Sequence, residues 1–230
     1  MRIGKLLVLS CVLVSAVFGG PIPTCANGTY ATYEALSAGC TINNLLFTNF
    51  SDTENATSPA VQLTAANVSV SPDFTSLDEG FEFTASWSVS NSGALTTTLS
   101  YDVQPFNPTT SLDSISLSFT GAETGTGTSG VSQTYCLGSL LPTSSCPSST
   151  QTISVNTINP GPVSGTYTLT NELSVTNSIM VVAGNGTASS SVVNDNFGEA
   201  AASVPEPASM ALLAAGLIGV GLLRRRRNKR

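Results

Sequence analysis

The sequence has 230 residues and a formal net charge of -6, and its charges are sharply segregated. Arg2 and Lys5 lie at the start, the other six basic residues lie from Arg224 onward, and all fourteen Asp and Glu lie between these ends. A body without basic residues cannot neutralise phosphates, so nucleic acid is excluded as a partner. The chain has no His, which excludes Ser-His-Asp and Cys-His catalysis and His-ligated zinc or haem sites.

The N-terminus has the three parts of a secretory signal peptide. Arg2 and Lys5 precede an apolar run from Leu6 to Phe18, and small residues and a proline follow that run. This order predicts a signal peptide over residues 1–19, cleaved near Gly19. The Sec translocon is therefore an expected partner, and the body is expected to be exported.

The body, residues 20–193, is dominated by strand patterns. Apolar and polar residues alternate over 81–89 and again over 95–103, and the Asn-Ser-Gly-Ala between them predicts an antiparallel hairpin. Further strands are predicted at 45–50, 61–70, 114–120, 131–137, 151–158 and 165–183, the last as one long strand or two joined by a bulge. A helical turn is expected only around 33–39. About seven to ten strands predict an all-β fold, an antiparallel two-sheet sandwich that is jelly-roll-like.

Four cysteines remain after removal of the signal peptide: Cys25, Cys40, Cys136 and Cys146. An even number in an exported chain predicts disulfides, and four cysteines allow three pairings. We favour Cys25–Cys40 and Cys136–Cys146, because each pair closes a local loop rich in turn residues. A thiolate metal site is the alternative, but no Cys-x-x-Cys spacing supports it.

The densest group of acids includes Asp73, Asp78 and Glu79, just before the 81–89 strand. Several carboxylates in one loop are what a calcium site needs, so these residues are candidate calcium ligands. A solvated turn is the competing interpretation, and we favour it; no other cofactor is expected. A glycosidase needs two carboxylates across a cleft. Glu123 and Glu172 could supply them, but nothing in the sequence brings them together, so we expect no enzyme.

Binding of carbohydrate or ice would need particular surfaces. Trp87 could stack on a sugar, but its place in an alternating apolar face predicts a core residue. Tyr101 and Tyr135 are the aromatic residues that we expect a sugar-binding surface to expose. Ice binding would need a flat, regular ladder of Thr, and the only dense Thr run, Leu95 to Leu99, is not extended by any repeat.

The C-terminal part has a linker, a short motif, an apolar run and a basic end. Small residues over 194–203 predict a linker, and the motif that follows it is kept extended by its prolines. Residues 208–223 are uncharged and mostly apolar, which predicts a transmembrane helix with the basic end in the cytoplasm. The motif consists of Val204, Pro205, Glu206 and Pro207, and the basic stop begins with Arg224, Arg225, Arg226 and Arg227.

Residues 204–230 together resemble the PEP-CTERM sorting segment. The resemblance implies that an exosortase, a membrane transpeptidase, recognises the motif and cuts near it. It also implies a Gram-negative-type bacterium whose exopolysaccharide or biofilm matrix receives the processed protein. Similar tails occur on proteins labelled ice-binding, and that label describes the tail, not an activity of the body.

The sequence therefore predicts an exported protein of the bacterial surface or extracellular matrix. Before processing, it would be inserted in the inner membrane with its C-terminus in the cytoplasm. We expect the body to be structural or adhesive and to contact exopolysaccharide. A carbohydrate-binding module is the alternative, and a membrane-anchored surface domain that is never processed is a further one.

Overall fold

The computed structural model describes residues 21–75, 79–107, 109–140, 146 and 150–201. This part has one short helix, α1 (Tyr30–Glu34), and a 3₁₀ turn (Ala65–Asn67). Its twelve strands are β1 (Gly28–Thr29), β2 (Cys40–Ile42), β3 (Leu45–Thr57), β4 (Ser69–Asp73), β5 (Glu79–Ser90), β6 (Ala94–Pro105), β7 (Thr110–Thr124), β8 (Thr128–Leu137), β9 (Gln151–Asn156), β10 (Val163–Thr170), β11 (Leu173–Val182) and β12 (Thr187–Ala201). The predicted signal peptide and transmembrane helix lie outside the described residues.

The strands form two antiparallel six-stranded sheets that share one core. The first sheet has the order β1-β4-β5-β12-β7-β10, and the second has the order β2-β3-β6-β11-β8-β9. From β5 onward the chain crosses between the sheets at every connection except β8–β9. The four-strand parts β5-β12-β7-β10 and β6-β11-β8-β9 therefore have the strand orders of the two sheets of an eight-stranded jelly roll. The predicted all-β sandwich is confirmed.

The predicted hairpin of 81–89 with 95–103 is wrong. The strands β5 and β6 lie in different sheets, and β5 pairs with β4 and β12 instead. Asn91 and Ser92, both with positive φ, carry the chain across the sandwich. The alternation itself does mark the buried face, because Phe81, Phe83 and Trp87 all face the core. Period two reports that one face of a strand is buried, and it does not report which strand is the neighbour.

The run 165–183 contains two strands, as one of the two alternatives predicted, but a change of sheet joins them and not a bulge. It forms β10 in the first sheet and β11 in the second, and the chain changes sheet at Asn171 and Glu172. The helical turn is also displaced, since α1 ends at Glu34 and begins three residues before the predicted start. Thr29 precedes this helix, and its side chain accepts a hydrogen bond from the Thr32 backbone N–H.

The predicted linker over 194–203 is wrong for the residues that the structure describes. Residues 194–201 are the second half of β12, which lies between β5 and β7 in the middle of the first sheet. Val193, Asp195 and Phe197 are fully buried. Asn, Gly and Ala gave this segment the composition of a linker, but its alternation of inward and outward positions is that of a strand.

Both favoured disulfides, Cys25–Cys40 and Cys136–Cys146, are confirmed. Cys25 and Cys40 are buried, and the Cys25 backbone N–H donates to the Thr41 carbonyl at 2.9 Å. This disulfide therefore fastens the start of the described chain to the edge strand β2. In the chain-entropy account, a cross-link stabilises a protein because it restricts the unfolded chain.

Aromatic rings fill one end of the core. Phe81 lies at the centre of this group, with ring-centroid distances of 4.6 Å to Phe47 and 5.4 Å to Tyr33. Phe47 and Phe50 both point inward although three positions separate them. A β-bulge between Thr48 and Ser51, where Asn49 has a φ of 55°, makes this possible. Asparagine tolerates that left-handed backbone better than most residues do.

Candidate functional sites

The structure describes two of the three candidate calcium ligands, Asp73 and Glu79, and the carboxylate of each accepts a hydrogen bond within the protein. Asp73 ends β4, and its carboxylate accepts hydrogen bonds from the backbone and hydroxyl of Thr75. Glu79 begins β5 and is buried, with its Oε1 accepting from Asn43 Nδ2 at 2.8 Å. Asp78 lies outside the described residues. Within the described ranges there is no group of three Cys, Asp or Glu side chains that could hold a metal ion.

Burial explains the raised pKa of Glu79. Desolvation raises its pKa, the hydrogen bond from Asn43 opposes that rise, and the nearby charge of Glu199 adds to it. The carboxyl group is thus a structural part of the sandwich end and not part of a solvated turn.

Glu123 and Glu172 lie at opposite ends of the sandwich. Glu123 is exposed near the end of β7, whereas Glu172 follows Thr170, which pairs with Leu112 near the start of β7. Eleven residues of strand separate Leu112 from Glu123, which is roughly 35 Å at 3.3 Å per residue. The structure therefore does not bring this pair of carboxylates together.

The aromatic candidates for sugar stacking lie inside the protein. Trp87 is in the core, as predicted. Tyr101 and Tyr135 are also buried, with 0% and 2% of their surface exposed, so the expectation that they are exposed is wrong. Both residues share a parity with apolar neighbours in their strands, and this was the signal that pointed inward. The Tyr101 hydroxyl instead donates a hydrogen bond to Asp195.

Asp195 is the centre of a polar cluster between the sheets that the sequence analysis missed. It lies on β12, is fully buried, and accepts hydrogen bonds at Oδ2 from the Tyr101 hydroxyl and from Asn177 Nδ2, the latter at 2.8 Å. Gln133 is close enough to lower the pKa of Asp195, but neither of its amide atoms has hydrogen-bond geometry with a partner. Asp195 and Asn177 interrupt apolar runs of constant parity, and such interruptions are the available signal.

Burial dominates the electrostatics of this cluster. Desolvation raises the pKa of Asp195 from 3.8 to about 6, against the lowering effect of its hydrogen bonds. Asp195 Oδ1, Asn177 Oδ1 and both amide atoms of Gln133 are buried without a hydrogen-bond partner in the described part of the chain. A buried charge that is only partly hydrogen-bonded costs stability. The cluster is therefore expected to make the stability of the fold depend on pH.

A second polar chain runs from the core to a surface groove. Trp87 Nε1 donates to Thr97 Oγ1 at 2.9 Å, and the Thr97 hydroxyl donates to Glu54 Oε2 at 2.7 Å. Glu54 lines a groove of about 430 Å³ together with Asp52. Burial raises the pKa of Glu54 to about 7, and the charge of Asp52 adds to this effect. Glu54 can thus hold a proton near neutral pH, and the sequence analysis did not identify it as a candidate.

The end of β12 determines where the chain leaves the sandwich. Ala201 pairs with Thr110 at the start of β7, so the body remains folded up to that residue. Only residues 202 and 203 separate Ala201 from Val204, and three residue steps span at most about 11 Å. The motif Val204–Pro207 therefore begins close to the body.

The fold and this exit define a disulfide-bonded, all-β sandwich with a C-terminal segment that follows its last strand directly. Residues 203–227 match the family model of the PEP-CTERM protein-sorting motif. The match contains Val204–Pro207 and Arg224–Arg227, and it implies an exported, surface-directed protein with an exosortase as its processing partner. No curated protein matches this chain. The described residues contain no helix long and apolar enough to cross a membrane.

Proposed function

We propose that this protein is exported, sorted through its PEP motif by an exosortase, and delivered to the cell surface or the extracellular matrix. The match at residues 203–227 is the observation that carries this proposal. The two disulfides suit an oxidising compartment outside the cytoplasm.

Before sorting, the Sec translocon exports the chain and the signal peptide over 1–19 is removed. The apolar run 208–223 then holds the chain in the inner membrane, and Arg224–Arg227 keep the end in the cytoplasm. This arrangement leaves the body and the motif on the same outer side. An exosortase with an active site at that membrane surface could reach the peptide bonds around Pro205 and Pro207.

We propose that the body is a structural or adhesive component of an exopolysaccharide or biofilm matrix and not an enzyme. The body has no Lys, Arg or His, and its acids give it a uniform negative charge that keeps it soluble. Calcium at Asp73, Asp78 and Glu79 stays a prediction. Titration with calcium in a calorimeter tests this prediction. Heat of binding that is present in the wild type and lost in Asp73→Asn would support the site, and the absence of any heat of binding would contradict it.

The intact mass of the protein from cells and from medium tests the sorting proposal. We expect a chain that begins near Gly20 and ends near Pro207. A mass that still includes Arg224–Arg230 would contradict processing and would favour the alternative, a membrane-anchored surface domain. A matched variant, Pro205→Ala with Pro207→Ala, should accumulate unprocessed chain if the motif is recognised. A carbohydrate-binding module is the other alternative, and the hydroxyl-rich outer face of the second sheet supports it.

A further inference from the structure

The outer face of the second sheet carries a regular array of hydroxyl groups. The register of β3, β6, β11, β8 and β9 aligns their outward positions into rows that run across all five strands. The three central rows are Ser51–Ser100–Thr176–Thr134–Thr152, Thr53–Thr98–Ser178–Ser132–Ser154 and Asn55–Thr96–Met180–Gly130–Asn156. Hydroxyl side chains occupy every position of the first two rows. Neighbouring strands lie about 4.8 Å apart and successive outward residues about 6.7 Å apart, so the array is periodic in two directions.

These hydroxyls are largely available to an external partner. Within the first row, the Ser100 and Thr176 hydroxyl oxygens are hydrogen-bonded at 3.1 Å, and those of Thr134 and Thr152 at 3.4 Å. The second row contributes no hydrogen bond from its side chains to other described residues, although all five of its positions are exposed or half-buried. A row of unpaired donors and acceptors can bond to a ligand without first breaking bonds inside the protein.

A groove interrupts the array at its third row. It has a volume of about 410 Å³ and is lined by Gly130, Ser132, Ser154, Asn156, Ser178 and Met180, among others. Gly130 is one of the lining residues, and no side chain fits there without a shift, because a Cβ would lie 2.7 Å from the Val155 carbonyl oxygen. The Met180 side chain is 48% exposed and gives the groove an apolar surface. An apolar surface framed by hydroxyls and an amide fits a sugar ring, which has an apolar face and a polar edge.

The negative charge of the protein favours uncharged polysaccharides over anionic ones. The fifteen positions of the three rows include no charged side chain, whereas the outer side of the first sheet carries Glu82 at an exposed position of β5. Because the body has acids and no basic residue, it repels an anionic polymer as a whole. An uncharged polyhydroxyl chain meets no such repulsion.

We propose that the outer face of the second sheet binds an uncharged polysaccharide, with a sugar ring in the groove beside Met180 and Gly130. Neighbouring sugars extend along the hydroxyl rows. This inference rests on the proposed adhesive role and gives that role a ligand class and a surface. It is independent of tail processing, which the intact mass tests separately.

The experiment is a binding assay with the disulfide-bonded protein as recovered from producing cells. The probes are insoluble cellulose, chitin and mannan, soluble dextran and galactan in affinity electrophoresis, and anionic alginate. We expect at least one uncharged polymer to retain the protein and alginate not to. Ser178→Glu places a charge in the middle of the array and should weaken that binding more than tenfold. Met180→Ala should weaken it less.

The matched control is Ser116→Glu. Ser116 is half-buried on the inner strand β7, and its neighbours Ile115 and Leu117 face the core. The variant adds the same charge to the other outer face and should bind as the wild type does. The fluorescence of buried Trp87 shows whether each variant is folded. The proposal is overturned if no uncharged polymer binds the wild type or if Ser178→Glu binds as the wild type does. It is also overturned if Ser178→Glu and Ser116→Glu lose binding equally. A separate assay tests ice shaping. If the wild type shapes ice but binds no polysaccharide, and Ser178→Glu does not shape ice, the proposal is overturned and the face binds ice.

Discussion

Replacing Asp195 with asparagine should remove a large part of the pH dependence of stability. Burial raises the pKa of Asp195 from 3.8 to about 6 in the folded protein. Between these two pKa values the folded state binds more protons than the unfolded state. The free energy of unfolding therefore falls as the pH rises from about 4 to about 6, and the contribution of Asp195 is constant above that range.

The magnitude follows from the size of the shift. A difference from 3.8 to about 6 corresponds to about 3 kcal/mol, at 1.36 kcal/mol for each pKa unit. Asp195 is fully buried, so solvent screens this effect little. Glu54, Glu79 and Glu34 have raised pKa values as well, and their contributions have the same sign. The protein should thus be more stable near pH 4.5 than near pH 7.

Urea unfolding, followed by the fluorescence of the single tryptophan, Trp87, measures this at a series of pH values from 4 to 7.5 and at constant ionic strength. Over that range the wild type should lose about 2 kcal/mol more than Asp195→Asn, because part of the titration of the unfolded chain lies below pH 4. Asp195→Asn should keep the remaining slope that the three glutamates cause.

Glu123→Gln is the control, because it removes one negative charge from an exposed position on β7. It should leave the pH dependence close to that of the wild type. If Asp195→Asn has the same slope as the wild type, burial of Asp195 does not set the pH dependence. If Glu123→Gln flattens the curve as much as Asp195→Asn does, general repulsion between acids is the cause, and the reasoning from burial fails.

Three further changes test other parts of the fold. Replacing Cys25 and Cys40 together with alanine should cost roughly 2–4 kcal/mol in urea unfolding; an unchanged midpoint would show that this disulfide is dispensable. Trp87→Phe removes the donor to Thr97 and should cost about 1–3 kcal/mol; because this variant lacks the only tryptophan, circular dichroism follows its unfolding in urea, and an unchanged midpoint would contradict this. Gly39→Ala should destabilise by more than about 1 kcal/mol, because φ is +72° and the added Cβ would lie 2.1 Å from the Phe47 carbonyl oxygen; a measured gain in stability would contradict this.

Much of the fold was predictable because alternation along a strand is a local property. Phe81, Phe83 and Trp87 were assigned to a buried face from their spacing alone, and both disulfide pairings followed from short loops between cysteines. The partner of each strand was not predictable in this way. The strands β5 and β6 are consecutive and have the pattern of a hairpin, but the core lies between them, so they belong to different sheets.

The candidate sites were less predictable for a related reason. Tyr101 and Tyr135 were expected on the surface, and they are buried because their parity follows that of Leu99 and Val131. The sequence pattern predicted a linker for Asp195 and a strand for Asn177, so it did not bring these two residues together. They meet only because β12 and β11 face each other across the core, where the low dielectric shifts the pKa of the carboxyl group.

By itself, the sequence determined the all-β class, the alternating core residues, the segregation of charge and the motif at residues 204–207. Each of these depends on neighbours in the chain. The tertiary structure decided which strands lie side by side, where the chain leaves the sandwich and what the outer face presents. The run Leu95 to Leu99 has no repeat in the sequence, but Thr96 and Thr98 face outward into rows completed by four other strands. Register across a sheet is a long-range property, and only folding creates it.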